Sequence, residues 1–205
     1  KAARILAQRL GLKLVEADIP FGLEGSRRFM EQLGRAFGRE AEARDFIDGE
    51  LDAVAPRLEW SVPHAFSNRR FAFAGDPHYA AGFAEIIDEV GGRLAATIIM
   101  GRPEHLLEER RLSLEARSGT VFEPDRAKLR RLFGETTRWE VDLLVCNSRS
   151  LKYINPRIPW LEFGFPSEYT HFLRDEPFLG FQGALSFLSR AANEVTKGLR
   201  LKAAA

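Results

Sequence analysis

The chain has 205 residues, 45% hydrophobic and 29% charged, with a formal net charge of +1. That balance fits a globular protein with room for one sizeable domain and part of another, and it advertises neither nucleic acid nor an anionic membrane as partner. No apolar run approaches the ~18 residues of a membrane helix, the opening residues show no charged stretch followed by an apolar one and so do not signal secretion, and the lone Cys146 excludes an internal disulfide or an all-cysteine metal site, which fits a reducing cytoplasm.

Residues 1–10 read as a helix with Ile5, Leu6 and Leu10 on one side, ended by Gly11 as a left-handed cap. The pattern begins in mid-helix, with no initiating Met and no capping residue, so the chain is expected to be the later piece of a longer protein. Residues 12–17 alternate as a strand does. A turn-rich stretch, Ile19 to Ser26, then leads into a helix carrying Phe29, Met30, Leu33 and Phe37, with Ser26 as the candidate N-cap. Residues 39–58 predict another helix with Phe46, Leu51, Val54 and Leu58 on its buried side, and Pro56 and Pro63 bracket its end.

From Arg70 the pattern alternates. Strands are expected at 70–74, 95–100, 120–122, 141–145 and 159–163, with helices at 79–90, 103–116, 126–133 and 180–199. Strand–helix alternation with short apolar strands predicts right-handed βαβ units. The expected fold is α/β: a Rossmann-like three-layer α/β/α domain with a mostly parallel sheet, preceded by a mainly helical segment. The boundary falls near 60–69. Residues 1–65 would be a helical segment continuing from a preceding domain, and 66–205 the C-terminal Rossmann-like domain.

In such sheets ligands sit beyond the carboxyl ends of the strands. Gly75, Asp76 and His78 follow the first strand of the domain, where a residue without Cβ lets a ligand approach and a helix presents its N-terminus. A tight turn capped by Asp76 would use the same residues. Asn147, Ser148 and Arg149 follow the fourth strand and can equally bond the neighbouring helix start and loops. Cys146 is expected to fill a small buried space, having no histidine near it in sequence to activate it. His171 lies in a polar, aromatic loop between the fifth strand and the last helix, and is expected to face a cleft or an interface. One histidine and one cysteine do not define a metal site, so none is expected in the chain itself. There is no P-loop, no Gly-x-Gly-x-x-Gly after either of the first two strands, no Gly-x-Ser-x-Gly elbow, no His-Glu-x-x-His and no Cys-x-x-Cys.

An ordered trio carries a resemblance. Val141 to Arg149 ends in Asn-Ser-Arg, then come Glu162-Phe-Gly-Phe-Pro-Ser167 and Pro177-Phe-Leu-Gly-Phe-Gln-Gly-Ala184. Together they resemble the C-terminal region of nitrogenase component 1 subunits and their relatives, which include dark-operative protochlorophyllide and chlorophyllide reductases and cofactor-assembly scaffolds. Pro20 to Met30 resembles the family's P-x-G-x-x-x-T-x-x-F/W-L element, with Ser26 in the Thr position. There are departures: Cys146 replaces a usual glycine, and Gly75-Asp76 stands where the family often has Gly-Gly followed by an arginine.

The resemblance implies a subunit of a reductase that takes electrons from a separate ATP-dependent iron protein, beside a homologous component 1-type subunit. It implies an iron–sulfur cluster in the full complex, bound through cysteines outside this chain. It also makes Gly75, Asp76, His78, Asn147, Ser148, Arg149 and His171 the candidate cofactor-facing residues. His171 resembles both the cofactor-ligating histidine of catalytic subunits and the noncatalytic histidines of the sister subunit. Two other readings stay open: a non-catalytic scaffold for a metallocluster precursor or tetrapyrrole, and an unrelated Rossmann-like nucleotide-sugar enzyme.

Overall fold

Short apolar strands from Arg70 onward build one five-stranded sheet in the order β3-β2-β1-β4-β5, every neighbouring pair parallel. The strands are β1 (Arg70–Gly75), β2 (Arg93–Ile99), β3 (Thr120–Phe122), β4 (Leu143–Cys146) and β5 (Trp160–Glu162). The helices are α1 (Ala2–Leu10), α2 (Gly22–Phe37), α3 (Glu40–Leu58), α4 (Pro77–Glu89), α5 (Glu108–Glu115), α6 (Arg126–Gly134), α7 (Ser148–Leu151) and α8 (Gly180–Ala203). The computed structural model describes residues 2–106, 108–117, 119–134, 141–153, 158–173 and 175–203.

Two cores flank the sheet. On one face Phe71, Phe73, Leu143, Val145 and Leu161 pack against Phe83, Ile86 and Ile87 of α4, Leu114 of α5 and Phe187, Leu188 and Val195 of α8. On the other, Ala72, Ala74, Ile98, Leu144 and Cys146 pack against Leu129 and Phe133 of α6 and Leu151 of α7. Alternate residues of β1 and β4 face opposite cores, as the period of a pleated strand demands. The result is the expected three-layer α/β/α arrangement. The helical segment adds to the first face: Phe21, Ile47, Val54 and Leu58 join the same core, and α2 and α3 both touch α8.

Several local expectations are corrected. Residues 12–17 form no strand, because no sheet edge lies beside them; Leu12 and Leu14 stay exposed and the segment runs as an irregular strap. Ser26 is not an N-cap. The helix starts at Gly22, behind the buried Phe21, and the Ser26 hydroxyl donates back to the Gly22 carbonyl at 2.5 Å. The buried stripe of α3 runs through Ala43, Ile47, Val54 and Leu58, leaving Phe46 48% exposed. Phe46 and Leu51 are five apart and cannot share a helix face. The charged stretch 103–116 is a 3-10 turn, Pro103–His105, followed by the shorter α5.

Candidate functional site

In the strand order the chain reverses between β1 and β4, since α4 and α5 cover one face and α6 and α7 the other. Such switch points are where α/β sheets receive ligands, and the loops after β1, β4 and β5 meet there. Gly75 closes β1, and a Cβ on it would stand 2.9 Å from the Phe73 ring. The space left by this glycine is filled by the protein's own phenylalanine. Asp76 caps α4 in extended conformation without a side-chain cap bond, and its Oδ2 lies 4.0 Å from where a Cβ on Gly164 would sit. Burial, and then the Asp76 charge, raises the pKa of Tyr79 above its ordinary value.

Asn147 and Ser148 spend their polar atoms on this junction. The Asn147 Oδ1 accepts from the Ser150 N–H at 3.0 Å and from the Ser150 hydroxyl at 2.9 Å, while its Nδ2 donates to the Phe165 carbonyl at 3.2 Å. The Ser148 hydroxyl donates to the Pro166 carbonyl at 2.7 Å, and its N–H to the same oxygen at 3.0 Å. Asn147, Ser148 and Ser150 are buried, whereas Arg149 on the same short helix is exposed. The tripeptide thus clips the ends of β1 and β4 to the loop after β5.

That loop has an organiser that sequence reasoning missed. Glu162, only 2% exposed, turns its carboxylate into the loop and accepts from three successive backbone N–H groups: Glu168 at 2.9 Å, Tyr169 at 3.1 Å and Thr170. Burial works to raise its pKa. The Glu168 N–H, the Thr170 and Ser167 hydroxyls and the Thr170 N–H outweigh that and hold it below the usual carboxylate range. Arg190 of α8 donates to the Glu162 carbonyl at 3.0 Å and lies 5.2 Å over the Phe172 ring. Gly164, at φ 90°, makes the turn that brings the loop back. His171 follows the pinned triplet directly and is exposed. The sequence signal for Glu162 was a single carboxylate between the apolar Leu161 and Phe163 of a strand.

His78 is separated from this cluster. It lies in the first turn of α4 and lines a groove of about 790 Å³ between that helix and the strap. A closed ring of charge sits in the groove. Arg28 donates to Asp18 at 3.1 Å and to Glu85 at 2.6 Å, and Arg110 bonds Asp18 at 3.1 Å and Glu85. The structure therefore gathers Gly75, Asp76, Asn147 and Ser148 at the carboxyl ends of β1 and β4, with Arg149 and His171 exposed beside them, and sets His78 on the groove.

The residues present do not fit the iron–sulfur cluster that the resemblance implies. Such clusters need several thiolates. Cys146 is fully buried against the core under α6, and burial, then the Glu162 charge, pushes its thiol well above the ordinary range. Among the described residues no group of three or more His, Cys, Asp or Glu side chains is placed to hold a metal ion.

The geometry can be set beside known proteins. The family described as nitrogenase component 1 type oxidoreductase matches residues 1–196. The nitrogenase molybdenum-iron protein alpha chain of Methanothermobacter marburgensis is 23% identical over 186 residues, taking in 90% of this chain and 37% of its own length. The beta chain of Frankia alni is 30% identical over 192 residues, 87% of this chain and 34% of its own length. The chain thus spans about a third of the curated relatives it matches. The solved structure of nitrogenase Cp1 at pH 6.5 shares the fold, with a TM-score of 0.74 at 19% identity over 96% of this chain and 43% of that one. The unrelated nucleotide-sugar reading falls away, and the chain belongs to the nitrogenase component 1 type oxidoreductases.

Proposed function

We propose that this chain is the C-terminal part of a nitrogenase-like reductase subunit that works, in the cytoplasm, with a homologous component 1-type subunit. In the complex, electrons from an ATP-dependent iron protein reduce a substrate. The supporting observation is the family match over residues 1–196. The joined carboxyl edge of the sheet, where Asp76, Asn147 and Ser148 meet the loop after β5, supplies a place for chemistry. The iron–sulfur cluster belongs to parts of the protein beyond these residues, and it supplies the electron relay when bound. Residues 1–65 form the helical layer that joins the Rossmann-like domain to the domain before it.

Within this chain the roles divide. Asn147 and Ser148 hold the crevice walls together. Arg149 and His171 are exposed beside it, and an imidazole there can donate, accept or ligate. Asp76 in place of the family's second glycine, with no arginine after it, favours a second reading, in which the subunit is a non-catalytic scaffold.

The full-length protein, mixed with an iron protein, ATP and either dinitrogen or a tetrapyrrole, is expected to reduce one of them only while ATP is hydrolysed. His171→Ala should lower turnover by about tenfold or more at unchanged folded content. No ATP-dependent reduction of either substrate, with retained binding of a cluster or tetrapyrrole, would favour the scaffold. Turnover falling only in step with soluble protein would remove His171 from the site.

A further inference from the structure

We propose that Glu162 is the positioning residue of the His171 loop: its carboxylate fills a nest of backbone N–H groups and so fixes where the imidazole is presented. The inference rests on the reading of that loop as the cofactor- or partner-facing side of the sheet. It adds a residue that touches neither ligand nor partner and acts through the backbone.

The geometry is that of an anion site occupied from within. Three consecutive N–H groups, those of Glu168, Tyr169 and Thr170, converge on the two oxygens of one side chain. Successive backbone N–H groups make an anion-binding concavity. A loop on its own would leave these donors to water and would sample many conformations. Here the anion comes from the last residue of β5, itself set by its register opposite Cys146 on β4. The position of the loop is therefore inherited from the sheet.

The other end of the loop is held from α8. Arg190 donates to the main-chain carbonyl of the same Glu162 and stacks over Phe172. His171 sits between the pinned Thr170 and the stacked Phe172. Both clamps lead back to one residue, Glu162 through its side chain on one side and its carbonyl on the other. An amide at this position could offer only one oxygen to three donors and would set an N–H₂ group against them. Glu162→Gln is thus a small change in shape and a large one in bonding.

The charged and titratable groups around the carboxylate are Arg190 from α8 and the Cys146 thiol from β4, with Glu176 and Glu194 acting on Arg190. The cysteine stays a neutral thiol and Arg190 stays charged across ordinary pH. The group whose protonation would empty the nest is then Glu162. Its folded-state value lies below the unfolded one, so the order it confers is complete above the ordinary carboxylate range and is lost as pH falls through the depressed value.

The test uses the full-length protein and hydrogen exchange read by mass spectrometry, with the rate of His171 carbethoxylation as a second readout. In Glu162→Gln, peptides covering 168–172 should exchange faster by about tenfold or more, while those covering β1 and β4 keep their protection. His171 should be modified at a changed rate. In Glu162→Ala, added formate should enter the emptied nest and restore both readouts, whereas formate should do nothing for Glu162→Gln. A purely structural role predicts no rescue by a free anion. If the variants fail to fold, the wild-type protein decides: on acidification the 168–170 amides should lose protection before β1 does. Unchanged exchange in Glu162→Gln, no formate rescue in folded Glu162→Ala, or simultaneous loss with β1 on acidification overturns the proposal. The His171→Ala turnover assay is separate. If it fails while these readouts succeed, the loop is positioned by Glu162 but is not the working site.

Discussion

At the scale of single residues, the chain separates groups that hold from groups that face outward. Asn147, Ser148 and Glu162 are buried and fully engaged, while Arg149 and His171 beside them are exposed. Replacing His171 with Ala should change unfolding free energy by no more than about 0.5 kcal/mol, the usual range for exposed sites, as read by urea titration. Cys146 lies at the opposite extreme. Its thiol is buried and its pKa raised, and the thiolate is the reactive form. Iodoacetamide should therefore label it in the native protein only at the rate of unfolding, and labelling as fast as that of a free thiol would contradict the packing.

Elements show where sequence was sufficient. The five strands, and α4 and α6 between them, were legible because each apolar run is short and is bounded by Gly, Pro or Asp, whereas the short α7 after β4 carried no helical pattern of its own. Short length together with such flanks marks a buried strand. The strap 12–17 was not legible as irregular, because alternation specifies a pleat only if an edge is there to pair with it. The α3 stripe was misread by one residue: Phe46 is large, but the 4, 7, 4 spacing through Ala43, Ile47, Val54 and Leu58 decides burial. In the candidate site, the ends of β1 and β4 were legible from the polar break after an apolar run. Glu162 was not, since what makes it matter is a backbone curl that follows it in space. Nor was the placing of His78 on the groove, which depends on which side of α4 faces the strap.

What fastens the strap is the ring of Asp18, Arg28, Glu85 and Arg110, whose side chains are between 20% and 27% exposed. Isolated surface pairs contribute little, but here Arg28 serves Asp18, Glu85 and also Glu24, Arg110 serves Asp18 and Glu85, and each of those last two carboxylates serves both arginines. Glu85→Gln should cost about 1–2 kcal/mol and should loosen residues 12–20 specifically. Faster proteolysis of the strap, rising further with salt, at unchanged protection of β1 is the expected result. An unaltered cleavage rate would mean that packing by Phe21 and the Asp18 N–H bond to Gln32 suffice.

For the molecule as a whole, one aromatic cluster joins the helical segment to the sheet. Phe163 stands 5.0 Å from Phe21, 4.7 Å from Phe178 and 5.2 Å from Phe187 between ring centroids. Phe187→Ala removes the α8 member from a site 3% exposed, and should cost about 3–5 kcal/mol. Because Phe21 and Phe163 share that cavity, α2 and the sheet should lose stability in one transition, followed by circular dichroism and tryptophan fluorescence. Two separated transitions would show that the helical layer is energetically independent.

The tether from the Gly180 N–H to the Pro20 carbonyl, at 2.8 Å, has a consequence for synthesis. The helix that seals α2 and α3 is the one translated after every strand. While the ribosome is still making the sheet, α4 can cover Phe21, but the faces that α2 and α3 turn to α8 have no lid. A nascent chain in that state is a natural client for chaperones, and slow codons between β5 and α8 would lengthen the wait.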